Sequence, residues 1–397
     1  MSGGFLNAAA TADMGFRHWF RVAACVAALW FVSVTAAAVI LLYSRHNPID
    51  FLSYWAAGKL ALSGHAAAAY DIPLHKAVEQ TAAPISGLLP FPYPPPFLLF
   101  LAPFGLLPFW IAFPAWILVT GIVYVLGVRR ACPLPYALAH PSVLSNALIG
   151  QNAFLTSAIF VGGTELVARR PYVAGAILGL LVIKPQLAIL LPIAMLAGRE
   201  WKVILAACIS VSALLLLALV IFGPAAYQGF FQILPFYSGA MRASRWPWGE
   251  IASTFAVARQ LGGSEFTALA IHGIVALAAA LLTARAWWLR LDERVPILAS
   301  ATILVPPYIL TYDALILVAP LGFLLSRRRQ PTAIAFSWLM CLLPVAGYFG
   351  FYSGPNTVPV AAAVALWALH RPDANAMRPA PSAAPANGPG RHEAPRP

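Results

Sequence analysis

The chain has 397 residues, 61% of them hydrophobic and only 10% charged, against about 45–50% and about 25% in soluble domains. With a mean hydropathy of +0.78, this excludes a soluble enzyme and indicates an all-α polytopic membrane protein. The formal net charge of +12 does not indicate a nucleic-acid partner, because the basic residues form no patch with interleaved aromatics. They fall in short clusters between apolar runs: Arg17/Arg21, Arg129/Arg130, Arg169/Arg170, Arg199/Lys202, Arg285/Arg290/Arg294 and Arg327/Arg328/Arg329. That is the pattern of cytoplasmic loops under the positive-inside rule.

Taken in chain order, residues 1–18 read as a cytoplasmic N-terminus and 19–370 as one membrane domain. The run 19–43 is too long for a signal-peptide core and reads as a first outward span. Residues 44–108 form a first periplasmic loop with interfacial or re-entrant helices. Within it 97–107 lies on the outer leaflet or dips into it, so that 109–128 crosses inward and every arginine cluster stays inside. The runs 133–148 and 152–168, then 172–183 and 186–197, pair as outward and inward spans. Run 203–222 leads to an outer loop at 223–253, and 266–289 returns. The runs 295–310, 313–325, 334–350 and 358–370 complete about twelve spans. Residues 371–397, rich in Pro, Ala, Gly and Arg, read as a disordered cytoplasmic tail.

Several runs are short. At 1.5 Å per residue they cover about 18–25 Å of a core roughly 30 Å thick. Their outer tips are polar: Gly150-Gln151-Asn152, Lys184-Pro185-Gln186 and Tyr312-Asp313. Irregular polar backbone at depth persists only where protein or a wet cavity encloses it. The pattern predicts an outward-facing cavity partly sunk in the bilayer.

Few acids can serve such a cavity. Asp50, Asp71, Glu79, Glu250 and Asp313 fall on the outer side, with Glu265 near the outer loop. Asp50 follows the first span by seven residues and is flanked by aromatics. It reads either as a functional carboxylate or as the N-cap of a helix starting at Phe51. Asp71 reads as a substrate contact or as a cap of the helix after Pro73. Tyr93, in a proline-rich turn, sits at the cavity rim or only sets the entry angle of the next helix. Lys184 is the only lysine in a predicted span region and is by default a functional candidate. Its ammonium suits a phosphate, unless it snorkels or pairs with Asp313. Gln151 and Asn152 bond sugar hydroxyls or satisfy a helix break. Arg242 and Arg245, with Trp246, Trp248 and Glu250, make the outer loop basic and aromatic, suited to a lipid phosphate or a sugar face, or to interfacial anchoring by Trp. No His or Cys spacing supports a metal site, and no cofactor is expected.

The motifs in order are Asp50-Phe51 with Tyr54 and Gly58, Gly64 to Tyr70-Asp71, Tyr93-Pro94-Pro95, Gly150-Gln151-Asn152, Lys184-Pro185-Gln186 with Arg199 and Trp201, and Pro306 to Tyr312-Asp313. This series resembles glycosyltransferase family 87, of the GT-C superfold. The resemblance implies an inverting membrane transferase that uses a polyprenyl-phosphate sugar donor at the outer face of a bacterial inner membrane. The acceptor is a lipid or glycan, and the sugar a hexose or pentose. It implies a general base at Asp50 and a phosphate contact in the Lys184–Gln186 element. Tyr54, Tyr93, Gln151, Asn152, Asp71, Arg242, Arg245, Tyr312 and Asp313 are the further substrate-contact candidates. Some mannosyl- and arabinofuranosyltransferases of the family carry a late His pair where this chain has Tyr312-Asp313. A carrier or flippase of lipid-linked sugars, without chemistry, is the competing reading.

Overall fold

The computed structural model describes residues 50–83, 89, 91–242, 248–327 and 330–371. The expected first span at 19–43 and the tail beyond Arg371 lie outside the described residues, as does Arg245. Among the described residues the fold is all-helical, with sixteen α-helices and short 3-10 turns.

The first connection, expected to carry interfacial helices, contains α1 (Phe51–Leu62), α2 (Ile72–Glu79) and α3 (Pro96–Gly105). Next come α4 (Phe109–Val128), α5 (Leu134–Leu138), α6 (Pro141–Ile149) and α7 (Ala153–Leu166). They lead to α8 (Pro171–Gly179), α9 (Leu190–Ala197) and α10 (Trp201–Arg242). The chain continues through α11 (Thr254–Gln260), α12 (Glu265–Trp288) and α13 (Arg294–Leu304). It ends with α14 (Val318–Ser326), α15 (Pro331–Gly347) and α16 (Val358–His370).

Among the described residues, three helices are long and apolar enough to cross a membrane: α4, α10 over Trp201–Gly239, and α12. The other apolar helices are shorter, and the breaks between them fall at the polar tips. Gly150 takes a positive φ of 73°, Lys184 separates two 3-10 turns, and residues 305–310 are irregular before the 3-10 turn Thr311–Leu317. Many apolar helices, some long and some broken, make this a multi-pass membrane protein.

Two expected boundaries move. The run 133–148 is two helices rather than one span, because Pro141 starts a new helix; the His140 Nδ1 there accepts from the Ser142 N–H at 3.3 Å. The stretch 223–253, expected as a loop, is helical over 224–242: the chain breaks at Gly223 (φ 75°, ψ 169°), where two helices meet at a kink within α10. Glu165 forms no ion pair with Arg169 among the described residues, since α7 ends at Leu166 and Arg169 falls off the helical i,i+4 register.

The helices sort their ends. Along the chain from α4 to α10, the polar tips (Gly150–Asn152, Lys184) alternate with arginine clusters (Arg129/Arg130, Arg169/Arg170, Arg199). The arginine ends meet one another: Arg290 Nη2 donates to the Gly198 carbonyl at 3.1 Å, and Arg327 pairs with Asp292 at 3.2 Å.

Close helix approach needs small residues. α1 lies against α3 through Gly58 and Gly105. A Cβ on Gly58 would stand 2.5 Å from the Leu101 carbonyl oxygen, and one on Gly105 would stand 2.6 Å from the Gly58 carbonyl carbon. Gly58→Ala should therefore force the helices apart and cost about 1–3 kcal/mol. A lowered melting temperature of the purified protein in detergent would show it; an unchanged one would refute the close packing.

Candidate functional site

The Asp50 side chain does not cap α1, although it holds the N-cap position. One carboxylate oxygen instead accepts the Gln151 Nε2–H at 2.6 Å. The Gln151 carbonyl oxygen accepts from the Tyr54 hydroxyl and faces the Tyr93 hydroxyl at 3.2 Å. The two tyrosine hydroxyls are 2.7 Å apart. Tyr70 anchors the same turn by donating to the Tyr93 carbonyl at 3.0 Å.

Apolar rings hold this group rigid. Phe51 packs on Phe109, Phe113 and Trp116 with centroids 6.1, 5.7 and 5.9 Å away. Tyr54 meets Tyr93 and Phe97 edge-on at 5.3 and 5.2 Å. The Trp116 indole N–H points at the Gln151 backbone carbonyl at 3.4 Å. Asp50 itself is half-buried, while Tyr54, Tyr93 and Gln151 are buried.

One residue further on, a second network begins. Asn152 Oδ1 accepts from Lys184 Nζ at 3.1 Å. The same ammonium pairs with Asp313 at 2.6 Å, with both side chains nearly inaccessible. It also lies 4.8 Å from the centre of the Tyr312 ring. The second Asp313 oxygen accepts the Leu310 N–H at 3.2 Å. Lys184 is thus paired with Asp313, as one of the alternatives open from sequence has it.

The remaining candidates separate. Asp71 is an exposed N-cap whose carboxylate accepts the Leu74 N–H at 3.0 Å, so its side chain holds α2. Gln186 is half-buried in the 3-10 turn Pro185–Ala188. Arg242 ends α10, with its side chain outside the described residues.

Glu250, read from sequence as one of the outer acids and as part of the outer loop, belongs with this group. Its segment is fastened to the one bearing Asp313. Ile251 and Leu310 form an antiparallel bridge, and the Ala252 N–H donates to the Ile309 carbonyl at 2.7 Å. Thr311 Oγ1 donates to the Glu250 carbonyl at 3.2 Å. Burial, then repulsion from Asp50, pushes the Glu250 carboxyl up to about 7. Burial also raises Asp50, against the downward pull of the Gln151 hydrogen bond and of the Lys184 charge. The only sequence signal for Glu250 was its standing as the one acid in 223–253.

Chemically, the site offers one half-buried carboxylate oriented by an amide, a second carboxyl with its pKa raised to about 7, and a buried ion pair joined to the same turn through Asn152. Among the described residues no cluster of His, Cys, Asp and Glu suits a metal ion. Removing one member of a buried pair leaves the other charge uncompensated. Lys184→Ala should therefore lose roughly 3–5 kcal/mol of stability, read as a large fall in melting temperature. The double variant Lys184→Met/Asp313→Leu should recover much of it; failure to do so would argue that the pair is not a self-contained structural unit.

No curated protein and no solved structure matches the chain. The model of glycosyltransferase family 87 matches residues 91–311, more than half of the sequence, and its span holds Tyr93, the Gly150–Asn152 turn, Lys184 and Glu250. The chain belongs to glycosyltransferase family 87.

Proposed function

We propose that the protein, a glycosyltransferase by family, moves a hexosyl or pentosyl unit from a polyprenyl-phosphate sugar to a lipid or glycan acceptor, with Asp50 as general base and inversion at the anomeric carbon. The observation that carries this reading is the Asp50–Gln151 hydrogen bond. It leaves the second carboxylate oxygen for an acceptor and fixes the direction in which that oxygen points. A carrier without chemistry, the competing reading, does not account for the family membership.

In the proposed step the acceptor hydroxyl gives its proton to Asp50 as its oxygen attacks the anomeric carbon. The bond from that carbon to the phosphate oxygen breaks, and polyprenyl phosphate leaves with the electron pair. A retaining double displacement would need a carboxylate nucleophile. Asp313 suits that poorly, since Lys184 holds one of its oxygens and the Leu310 N–H the other. Charge on the departing phosphate falls to Arg242 and Arg245, with Gln186 as a neutral donor. Tyr54, Tyr93, Asn152 and Tyr312 shape the sugar pocket.

A GT-C architecture of about twelve spans accommodates the broken helices. The separation of the ends supports an orientation with the site on the outer, periplasmic face of a bacterial inner membrane. The polar tips gather at one side and the arginine clusters at the other, which the positive-inside rule assigns to the cytoplasm.

Purified protein assayed with a panel of polyprenyl-phosphate sugars tests the base. Asp50→Asn should lower kcat about 10²–10⁴-fold with little change in donor KM; transfer at the wild-type rate would remove Asp50 from the role. The pH profile tests Glu250. Below its pKa of about 7 the carboxyl is neutral, and above it a second negative charge stands beside Asp50. That charge repels the anionic donor, so kcat/KM should fall as pH rises through neutrality. Glu250→Gln should abolish the descending limb, and a limb that survives unchanged must belong to another group.

A further inference from the structure

Segments remote in the chain meet around the backbone of Glu250. Asn356, in the connection between α15 and α16, uses both hydrogens of its amide. Its Nδ2 donates to the Gly249 carbonyl and to Thr311 Oγ1, each at 2.8 Å. The Thr311 hydroxyl gives its own hydrogen to the Glu250 carbonyl at 3.2 Å. Asn356 Oδ1 accepts the Val358 N–H at the start of α16 at 3.1 Å. The amide cannot turn over without setting donor against donor and acceptor against acceptor. From α6, Ser142 Oγ donates to the Thr311 carbonyl at 3.1 Å. Asn356, Thr311 and Ser142 are all buried.

The network converges on one residue. The carbonyls of Gly249 and Glu250 belong to the two peptide groups that flank the Glu250 α-carbon, and these are the ones it holds. With both peptide groups held, so are the two soft dihedrals between them, and with these the direction in which the side chain leaves the backbone. The Ile251–Leu310 bridge and the bond from Ala252 to Ile309 fasten the segment after Glu250. They leave the acid one residue outside the paired stretch. Asn356 and Thr311 supply the fixation that the bridge lacks.

The charge of Asp50 acts on the Glu250 carboxyl. Tyr308, from the irregular segment before Thr311, and Tyr348, just past α15, lie within reach of the Glu250 charge. On α11, which packs against the same turn, Arg259 is bound to the Gly263 carbonyl at 2.8 Å. The proton affinity of Glu250 therefore depends on how closely it approaches Asp50 and how deeply it is enclosed.

We infer that Asn356 is a positioning residue of the transferase: acting through Gly249 and Thr311, it sets where the Glu250 carboxyl stands relative to Asp50. The inference rests on the proposed part of Glu250 in transfer.

Infrared difference spectroscopy of the intact detergent-purified protein tests it, following the Glu250 carboxyl stretch, assigned as the band lost in Glu250→Gln. Asn356→Leu keeps the size of the side chain and removes both donors. Glu250 should then stand less enclosed and farther from Asp50, so that it ionises at lower pH. Its titration midpoint should fall by about one pH unit toward the ordinary carboxylate range. Thr311→Val should move it the same way, and Thr311→Ser, which keeps the hydroxyl, should leave it in place. Asn356→Leu/Thr311→Val should go little beyond the larger single shift, because the two residues share one network. The descending limb of kcat/KM should follow the midpoint in each variant, and in a Glu250→Gln background Asn356→Leu should leave the pH profile unchanged. A midpoint that stays at its wild-type value in Asn356→Leu, even with a lowered melting temperature, would reduce Asn356 to a structural role and overturn the inference. A midpoint that moves while wild-type activity shows no Glu250-dependent limb would instead remove Glu250 from transfer, and with it any service its positioning does the reaction.

Discussion

The fold of the site depends on a three-residue turn. Gly150 adopts a positive φ, where any side chain would be strained, and a Cβ there would stand 2.5 Å from the Phe51 Cβ. The chain can reverse at this depth only because the residue is glycine. Immediately after it, two neighbouring side chains enter two separate networks. Gln151 holds Asp50 and meets Tyr54 and Tyr93, while Asn152 meets the Lys184–Asp313 pair. The distance from the accessible carboxylate to the buried ion pair is thereby fixed by adjacent residues of the backbone.

A break in a membrane helix exposes backbone groups that lipid cannot satisfy. Here side chains close the gaps at Gly150 and Leu310. Asn146 Oδ1 accepts the Ala153 N–H at 2.8 Å across the Gly150 turn. Asp313 closes the gap at Leu310, and Asn356 binds Thr311 Oγ1 and the Gly249 carbonyl, both at 2.8 Å. Asp313 thus serves the backbone and the site at once. Short helices and a cluster of buried polar groups are two consequences of one arrangement, since the polar groups collect where the helices break.

Much of this was legible in the chain. The scarcity of charge restricted the outer acids to a handful, and the polar tips marked where the helices would break. Asp50, Gln151, Asn152, Lys184 and Asp313 each stood out for their residue type at those places. Their partners did not. Sequence left Asp50 divided between cap and functional carboxylate, and Asp71 divided likewise. The structure assigns capping to Asp71, because its backbone is extended ahead of α2, and frees Asp50, whose side chain turns toward a residue 101 positions away. Glu250 gave almost no signal. A lone acid in a connection has no periodicity, and only the bridge from Ile251 to Leu310 carries it toward Asp50.

Composition, hydropathy and the placement of arginines by themselves determined a multi-pass helical protein with one polar and one basic end, because those properties respond to the bilayer as solvent and act locally along the chain. Tertiary structure decided which charges neutralise each other. Lys184 meets Asp313 across 129 positions, and Glu165 lies within reach of three arginines without pairing. Ion pairing depends on distances of a few ångströms between segments remote in sequence, and those distances follow from helix packing around the Gly150 turn.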